Sequence, residues 1–405
     1  MATSRRYDLD WLRIGAFALL IGYHVGMLYV PWAFHVKSAY RGEPWLTGLM
    51  LALNPWRLSL LFVIAGCATG YMAARLGRGA FARERTRRLL VPLVFGMAVV
   101  VVPQVYFEVV QARGYGDGFM AFWGRYLRLD QSFRTPIPTW NHLWFVAYLL
   151  VYTLIAAAIA PWGAVHPRES KPLSALASTA WLVGPWLWLW WLRATLFPRY
   201  GSNHAMVADG YNHALYFSMF CFGLALVRRP QLWQAIDRLR WPALAFAVLG
   251  GAVFISLSLG AWQALPPGDW QRAFGSAARE AQSWGAVLAA LGFGQRHLNR
   301  DHPARAYLVD AVFAYYIVHQ TALIALAAWL RPWQLGGALE ATLVVAGTVL
   351  ACGVTAEVAR RVGWLRPLFG FRPRVAGGGG GAGAVNPPWR PTPSPPAPTS
   401  RFPRR

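Results

Sequence analysis

Two ionisable side chains interrupt the first apolar stretch of the chain, "LDWLRIGAFALLIGYHVGMLYV" (9–30). Arg13 lies near its start, and His24 follows eleven residues later. Eleven residues of α-helix make about three turns, so the two side chains share one face and are roughly 16 Å apart along the axis. Asp10 precedes Arg13 by three residues and can pair with it. Ionisable groups within a membrane span usually face a bundle interior, so we expect this face to point inward.

Three later stretches carry polar groups that can reach the depth of His24. His319 in "FAYYIVHQT" lies about as far into its own span, Arg57 follows the start of "NPWRLSLLF", and His142 opens "HLWFVAYLL". We therefore expect the four side chains to share a cavity in the outer half of the membrane. A neutral imidazole can act as a general base near pH 7, and positioned proton transfer contributes about 10²–10⁴ in rate. The alternative is that His24 is a buried, hydrogen-bonded packing residue.

An arginine cluster precedes the third apolar stretch in "RERTRRLLVP" (83–92). Its members are Arg83, Arg85, Arg87 and Arg88. One interpretation is that they set membrane topology and contact anionic lipid headgroups. The other is a phosphate-binding site, because planar guanidinium groups suit bidentate phosphate contacts. A donor with a phosphorylated head and a long arm fits the second interpretation, since its head stays in the cytosol while its reactive end reaches inward.

The composition indicates which elements must position these residues. The chain has 405 residues, of which 56% are hydrophobic and 14% charged, whereas a soluble domain carries about 25% charged residues. Apolar runs of about 20 residues predict an all-α, polytopic membrane bundle of about ten transmembrane helices. No small-residue cleavage site follows the first run, so we expect a retained helix rather than a signal peptide. The predicted spans are 9–30, 56–74, 89–107, 142–162, 174–197, 211–228, 241–262, 276–293, 307–330 and 337–358.

The charge pattern predicts the orientation of these spans. Arginines concentrate in the loops 75–88 and 228–240, which favours cytoplasmic N- and C-termini by the positive-inside rule. The net charge of +23 is spread over loops and tail without a recognised nucleic-acid module, so no nucleic-acid partner is expected. The transmembrane domain is predicted to cover 1–370. The Gly- and Pro-rich stretch 371–405 is predicted to be a disordered cytoplasmic tail.

No metal site is expected. The chain lacks an HExxH motif, and His204 and His213 fall in or beside an outer loop, where histidines are more often solvated than liganded. The cysteines are Cys67, Cys221 and Cys352, which lie far apart in apolar runs and are interpreted as packing residues.

Together these residues resemble membrane-bound acyltransferase family 3. "RIGAFALLIGYH" is similar to the family's Arg/Lys-x10-His element, and "RTRR" (85–88) to its Arg-x-x-Arg element. "WRLSLLFVIAG", "HLWFVAYLL" and "YYIVHQ" look like its patterns for the second, fourth and late spans. The similarity covers about residues 5–370 and is greatest to the periplasmic glucan succinyltransferase branch. One departure is that Ala65-Gly66 replaces the usual Ser-Gly, which removes any hydroxyl role there.

The resemblance implies transfer of an acyl group, acetyl or succinyl, from cytoplasmic acyl-CoA to a hydroxyl acceptor such as a cell-surface glycan, in the bacterial inner membrane. It implies that His24 is catalytic with Arg13 as its partner, and that Arg85 and Arg88 lie near the CoA phosphates. Direct transfer and a transient acyl-histidine both stay open. Two other functions are also open, a transporter or flippase for an acyl or glycan carrier and a non-catalytic assembly partner.

Overall fold

The computed structural model describes residues 6–40, 42–133, 135–159, 174–260 and 269–372. Within these ranges all regular structure is helical, which confirms the predicted all-α class. The helices are α1 (Tyr7–Gly26), α2 (Pro44–Ala73), α3 (Arg78–Phe95), α4 (Val102–Arg113), α5 (Phe119–Leu127), α6 (Trp144–Ile159), α7 (Ala175–Tyr200), α8 (Gly210–Arg228), α9 (Pro230–Ser258), α10 (Asp269–His297), α11 (Pro303–Leu330) and α12 (Gly337–Arg361). A π-helical turn (Gly96–Val100) joins α3 to α4, and a 3₁₀ turn (Asn141–Leu143) precedes α6.

Six helical segments of the described chain are long and apolar enough to cross a membrane. They are Pro44–Ala73, Arg78–Arg113, Asn141–Ile159, Pro230–Ser258, Pro303–Trp333 and Gly337–Arg361. Large apolar side chains on α9 and α12, such as Leu249 (68% exposed) and Leu350 (68%), face outward as lipid-facing residues do. The chain is therefore a multi-pass membrane protein, while the count of ten spans and the orientation of the termini stay predictions.

The first predicted span, 9–30, is too long at its carboxyl end. Helix α1 ends at Gly26, and the chain then turns back. The ammonium group of Lys37 donates to the carbonyls of Met27 (2.6 Å) and Val30 (2.7 Å), which satisfies backbone acceptors beyond the helix end. Because of this turn, His24 occupies the last turn of α1 rather than the middle of a longer helix.

Helices α1 and α11 run parallel with a constant sequence offset. Arg305 pairs with Asp10 at 2.7 Å, and His24 contacts His319 at 2.8 Å; each contact joins residues 295 positions apart. Between them, Arg13 donates to the carbonyl of Val309 at 3.2 Å, an offset of 296. The two helices therefore stay in register from the ion pair at one end to the histidine pair at the other.

Helices α2 and α8 make a close backbone contact at two glycines. A Cβ on Gly66 would lie 2.1 Å from the carbonyl oxygen of Phe220, and a Cβ on Gly223 would lie 2.1 Å from that of Val63. Small residues permit such close approach between membrane helices. The Ala65-Gly66 position therefore serves helix packing, as the sequence allowed.

After α12 the chain folds back against the bundle. Phe369 and Phe371 are each 7% exposed, and Phe369 packs edge-on against Phe95 of α3. Phe371 thus belongs to the packed part of the protein, although the prediction begins the tail at 371. The rest of the predicted tail, 373–405, lies outside the described residues.

Candidate active site

The centre of the candidate site is a pair of histidine rings on neighbouring helices. Nδ1 of His24 lies 2.8 Å from Nε2 of His319, and the ring planes are within 13° of each other with centroids 5.0 Å apart, so the two rings meet edge to edge. The ring of Phe34 is nearly parallel to that of His24, at an angle of 17° and a centroid distance of 6.3 Å. The structure confirms that these two histidines meet.

The hydrogen-bond partners fix the tautomers of the pair. Nδ1 of His319 lies 2.7 Å from the carbonyl oxygen of Tyr316, which can only accept, so this nitrogen carries the proton. His319 is fully buried and, among the described residues, neither imidazole has a carboxylate within hydrogen-bonding distance, which favours the neutral form. Nε2 of His319 is then an acceptor, and His24 donates to it from Nδ1. The lone pair of His24 is consequently on Nε2.

His24 is the accessible member of the pair. It is partly exposed, whereas His319 is 0% exposed. Among the described residues, Nε2 of His24 makes no hydrogen bond. A partly exposed proton acceptor with a free lone pair and a fixed ring meets the geometric requirements for a general base.

The third predicted histidine, His142, lies beside the pair but has both nitrogens engaged. Its ring stands at 88° to that of His319, with centroids 5.0 Å apart. Nε2 donates to the carbonyl of Ile317 (3.0 Å), and Nδ1 accepts from the amide of Gln104 (3.3 Å). His142 is 5% exposed and lies in the buried turn before α6 rather than at an open outer rim. It positions His319 and has no lone pair left for substrate.

A network of amides that the sequence analysis did not identify supports His142. The side-chain oxygen of Gln104 accepts from Asn141 and from Gln320, each at 3.0 Å, and its amide also donates to Thr321 at 2.7 Å. All lie at the meeting point of α4, α6 and α11. A satisfied buried network of this kind holds its members rigidly. The sequence signal that could have indicated this network is the presence of single Gln and Asn residues within apolar stretches.

Arg57 faces the same region from α2. It is 5% exposed, its guanidinium lies 3.3 Å from the ring centroid of Tyr23, and Nη1 donates to the carbonyl of Asn54 at 3.3 Å. Nε is buried and has no partner among the described residues. Arg57 is also close enough to His24 for their charges to interact. Arg57 is therefore a buried cation in the region of the histidine pair.

Arg13 and Asp10 lie at the other end of α1. Arg13 is near enough to Arg85 and Arg88 for their charges to repel, while the ion pair of Asp10 is with Arg305. The structure thus places Arg13 with the arginine cluster, about 16 Å along the helix from His24. At that distance the guanidinium of Arg13 does not contact the imidazole of His24.

The four predicted cluster arginines occupy two environments. Arg85 is 8% exposed and donates to the hydroxyl of Thr69 at 3.0 Å, and Arg88 is half-buried beside it. Arg83 and Arg87 are exposed. Of the four, Arg85 and Arg88 interact with the charge of Arg13 on α1. The two residues of the Arg-x-x-Arg element therefore lie on one face of α3.

Two further ionic pairs were missed from the sequence. His35 and Glu108, both partly exposed, pair at 2.5 Å next to Phe34, so a carboxylate lies one aromatic ring away from His24. In α10, Glu280 is fully buried and contacts Arg279 at 2.5 Å. The signal for the second group was present, because charges inside an apolar stretch are costly and usually functional or paired.

The described residues contain no group of three or more His, Cys, Asp or Glu side chains suited to a metal ion. His213 donates from Nε2 to the carbonyl of Met206 at 2.7 Å and accepts from Tyr152, so both its nitrogens are used within the fold. His204 stacks on Trp144 at 4.0 Å. Both histidines are therefore part of the packing around the connection between α7 and α8.

Comparison with known proteins decides between the functional classes. A family model described as an acyltransferase domain matches residues 6–357, which covers most of the chain and includes the histidine pair and the arginine cluster. The chain belongs to acyltransferase family 3. It is therefore a membrane O-acyltransferase, and this assignment favours an enzyme over the transporter alternative.

Curated relatives of this family extend over the same length. The chain is 24% identical to glucans biosynthesis protein C of Salmonella paratyphi A, of Salmonella typhi and of Salmonella typhimurium strain LT2. Each comparison covers 386 residues, which is 92% of this chain and 96% of the relative. No solved structure matches the chain significantly.

Proposed function

We propose that the protein transfers an acyl group, acetyl or succinyl, from cytoplasmic acyl-CoA to a hydroxyl of a cell-surface glycan or related acceptor, with His24 as general base. The observation that carries this proposal is the contact of Nδ1 of His24 with Nε2 of His319, whose own Nδ1 contacts the Tyr316 carbonyl. Because His319 then accepts the Nδ1 proton of His24, the lone pair of His24 is on Nε2, which makes no hydrogen bond among the described residues.

The reaction follows from that arrangement. Nε2 of His24 takes the proton of the acceptor hydroxyl, and the oxygen forms a bond to the thioester carbonyl carbon. The carbon–sulfur bond then breaks, and the leaving thiolate recovers the proton from His24, so the products are an ester and free CoA. In this mechanism the buried guanidinium of Arg57 stabilises the oxyanion of the tetrahedral intermediate.

The histidine pair also lowers the cost of the transient charge. When His24 becomes an imidazolium, its Nδ1–H bond to His319 becomes charge-assisted and stronger. His319 is in turn held by the Tyr316 carbonyl. This is the orienting role that a carboxylate plays in a Ser-His-Asp triad, performed here by a neutral imidazole and a backbone carbonyl. The same Nε2 lone pair could instead attack the thioester and form an acyl-histidine.

In this proposal the acyl-CoA donor binds at the amino-terminal end of α1, opposite to His24. Arg13, Arg85 and Arg88 offer guanidinium groups to the CoA phosphates, and the acyl arm extends along α1 towards His24. This placement requires the arginine cluster and both termini to be cytoplasmic, in a bacterial inner membrane. The positive-inside pattern of the loops and the Salmonella relatives support it. The name of those relatives supports a glucan as acceptor.

The experiment that tests this function uses purified protein in nanodiscs with radiolabelled acetyl-CoA and succinyl-CoA, each supplied with and without a soluble glucan. We expect one donor to give an alkali-labile acyl ester on the glucan together with an equal amount of free CoA. If the label appears on lipid and not on the glucan, the acceptor is a lipid and not a glucan. CoA-independent movement of glucan across the bilayer would contradict the enzyme.

A further inference from the structure

A small cavity lies at the arginine-cluster end of the bundle, between α3 and the segment that follows α12. Its volume is about 50 Å³. It is lined by Glu84, Arg87, Arg88, Pro367, Gly370, Phe371 and Arg372. Arg372 was not singled out by the sequence, because it lies 284 residues from Arg88 at the edge of a Gly- and Pro-rich stretch. Folding brings the two guanidinium groups near enough for their charges to repel.

The charge around this cavity is not balanced within the described chain. Three arginines and one carboxylate, that of Glu84, line it, and the charges of Arg13 and Asp310 also act on Arg88. Among the described residues, neither Arg85 nor Arg88 has a carboxylate oxygen within 4 Å; Nε of Arg85 is buried without a partner. The arginines that line the cavity outnumber the carboxylates there, and such an excess of positive charge is unfavourable, so the site is suited to an anion.

The position of Arg372 is fixed by packing. Gly370 has φ of +75°, and a Cβ there would lie 2.2 Å from the ring of Phe313, so only glycine fits. Arg366 donates to the carbonyl of Arg372 at 2.7 Å, and Phe371 is buried. The backbone of Arg372 is thereby anchored while its side chain stays exposed at the cavity.

We propose that Arg372, together with Arg87 and Arg88, forms a phosphate-binding site that holds one phosphate group of the acyl-CoA donor. This inference rests on the proposed function. A cavity of this volume holds roughly one or two water molecules, which suits a single small anion. Guanidinium groups approaching from two chain segments can contact different phosphate oxygens at once. A lipid headgroup phosphate has the same chemistry and is the competing source.

The test measures binding of CoA to the full-length protein in nanodiscs of zwitterionic lipid. Arg372→Gln is expected to weaken the Kd for CoA about 10-fold, and Arg372→Lys to restore part of the loss. Pantetheine, which has no phosphate, should bind the variant and the wild type equally. Arg361→Gln is the matched control, because Arg361 is an exposed arginine at the same end of the bundle. Its side chain forms an ion pair with Glu357. This control variant should leave the Kd unchanged.

The outcomes separate this inference from the proposed function. If wild type and Arg372→Gln bind CoA equally while His24-dependent transfer persists, the Arg372 site is refuted and the function stands. If the wild type binds no CoA, both fail. A variant that loses only binding to phosphatidylglycerol, measured in nanodiscs containing that lipid, would show that the site serves a headgroup and not the donor.

Discussion

His24 and His319 share a 2.8 Å hydrogen bond between parallel rings, and the register of two helices makes it possible. The same 295-residue offset joins Asp10 to Arg305 at the opposite end of α1. A slip of one residue would rotate a side chain by about 100° around its helix axis and shift it by 1.5 Å. The ion pair at one end therefore helps to align the base at the other.

Replacing His319 tests the orienting role directly. His319→Ala removes the acceptor for Nδ1–H of His24, so the ring can adopt either tautomer. We expect kcat to fall roughly 10²-fold or more, with the KM for acyl-CoA unchanged. His319→Gln, whose side-chain oxygen can accept from His24, should recover part of the rate. Steady-state CoA release provides the measurement, with Val318→Ala as a control on the same helix. Wild-type kcat in His319→Ala would rule out the orienting role.

The donor end of α1 should show the opposite kinetic pattern. Arg85→Gln removes a buried guanidinium near Arg13 and Arg88, and we expect the KM for acyl-CoA to rise about 10-fold with little change in kcat. Arg83→Gln removes an exposed charge from the same helix and should have no effect. Thr69→Val separates loss of the Arg85–Thr69 hydrogen bond from loss of charge. If Arg85→Gln lowers kcat and leaves the KM for acyl-CoA unchanged, Arg85 does not contribute to donor binding.

Close packing of α2 on α8 predicts a sharp difference between two glycines. Gly66→Ala places a Cβ 2.1 Å from a backbone oxygen, so the helices must separate; we expect a cost of about 1–3 kcal/mol. Gly15→Ala adds the same atom in open space on α1, where better helix propensity is worth up to about 1 kcal/mol. Thermal unfolding followed by size-exclusion chromatography compares them. Equal stability of both variants would show that the contact is adjustable.

The connection after α5 contains a carboxylate, that of Asp130, whose pKa is unusually low. The backbone N–H of Ser132 (2.9 Å) and the guanidinium of Arg125 (2.7 Å) lower the pKa of Asp130 to about 2. The resulting stabilisation is complete above about pH 4, the pKa range of an unfolded Asp, and is lost as pH falls through about 2. The protection factors of residues 119–133 against hydrogen exchange, taken relative to the intrinsic rate at each pH, should therefore fall between pH 4 and 2. Asp130→Asn should remove that dependence; an unchanged acid response in this variant would assign it to another group.

The sequence was sufficient for the class of fold and for most of the candidate site. Charged residues in apolar stretches are rare enough that Arg13, His24, Arg57 and His319 could be identified from type and depth alone. The sequence was not sufficient to predict which side chains contact each other, because the depth of a residue along its helix does not determine which helix packs beside it. The engagement of His142 by Gln104 follows from packing, not spacing.

Arg372 and the Arg279–Glu280 pair show two different reasons for the remaining misses. Arg372 lies in a segment with no periodic pattern, and only folding brings it to α3. Arg279 and Glu280 were visible inside the predicted span 276–293, and the informative fact is that Glu280 is fully buried in contact with Arg279. A buried charge in a membrane helix needs a partner, and the sequence places one next to the other.

The most direct test of the central claim compares free CoA release by wild type and His24→Ala in nanodiscs under saturating acyl-CoA and acceptor. Matched size-exclusion profiles and equal CoA binding establish that the variant is folded. The account predicts that binding persists while turnover falls by at least 10²-fold, because the group that takes the hydroxyl proton is gone. Turnover by His24→Ala at the wild-type rate would contradict it.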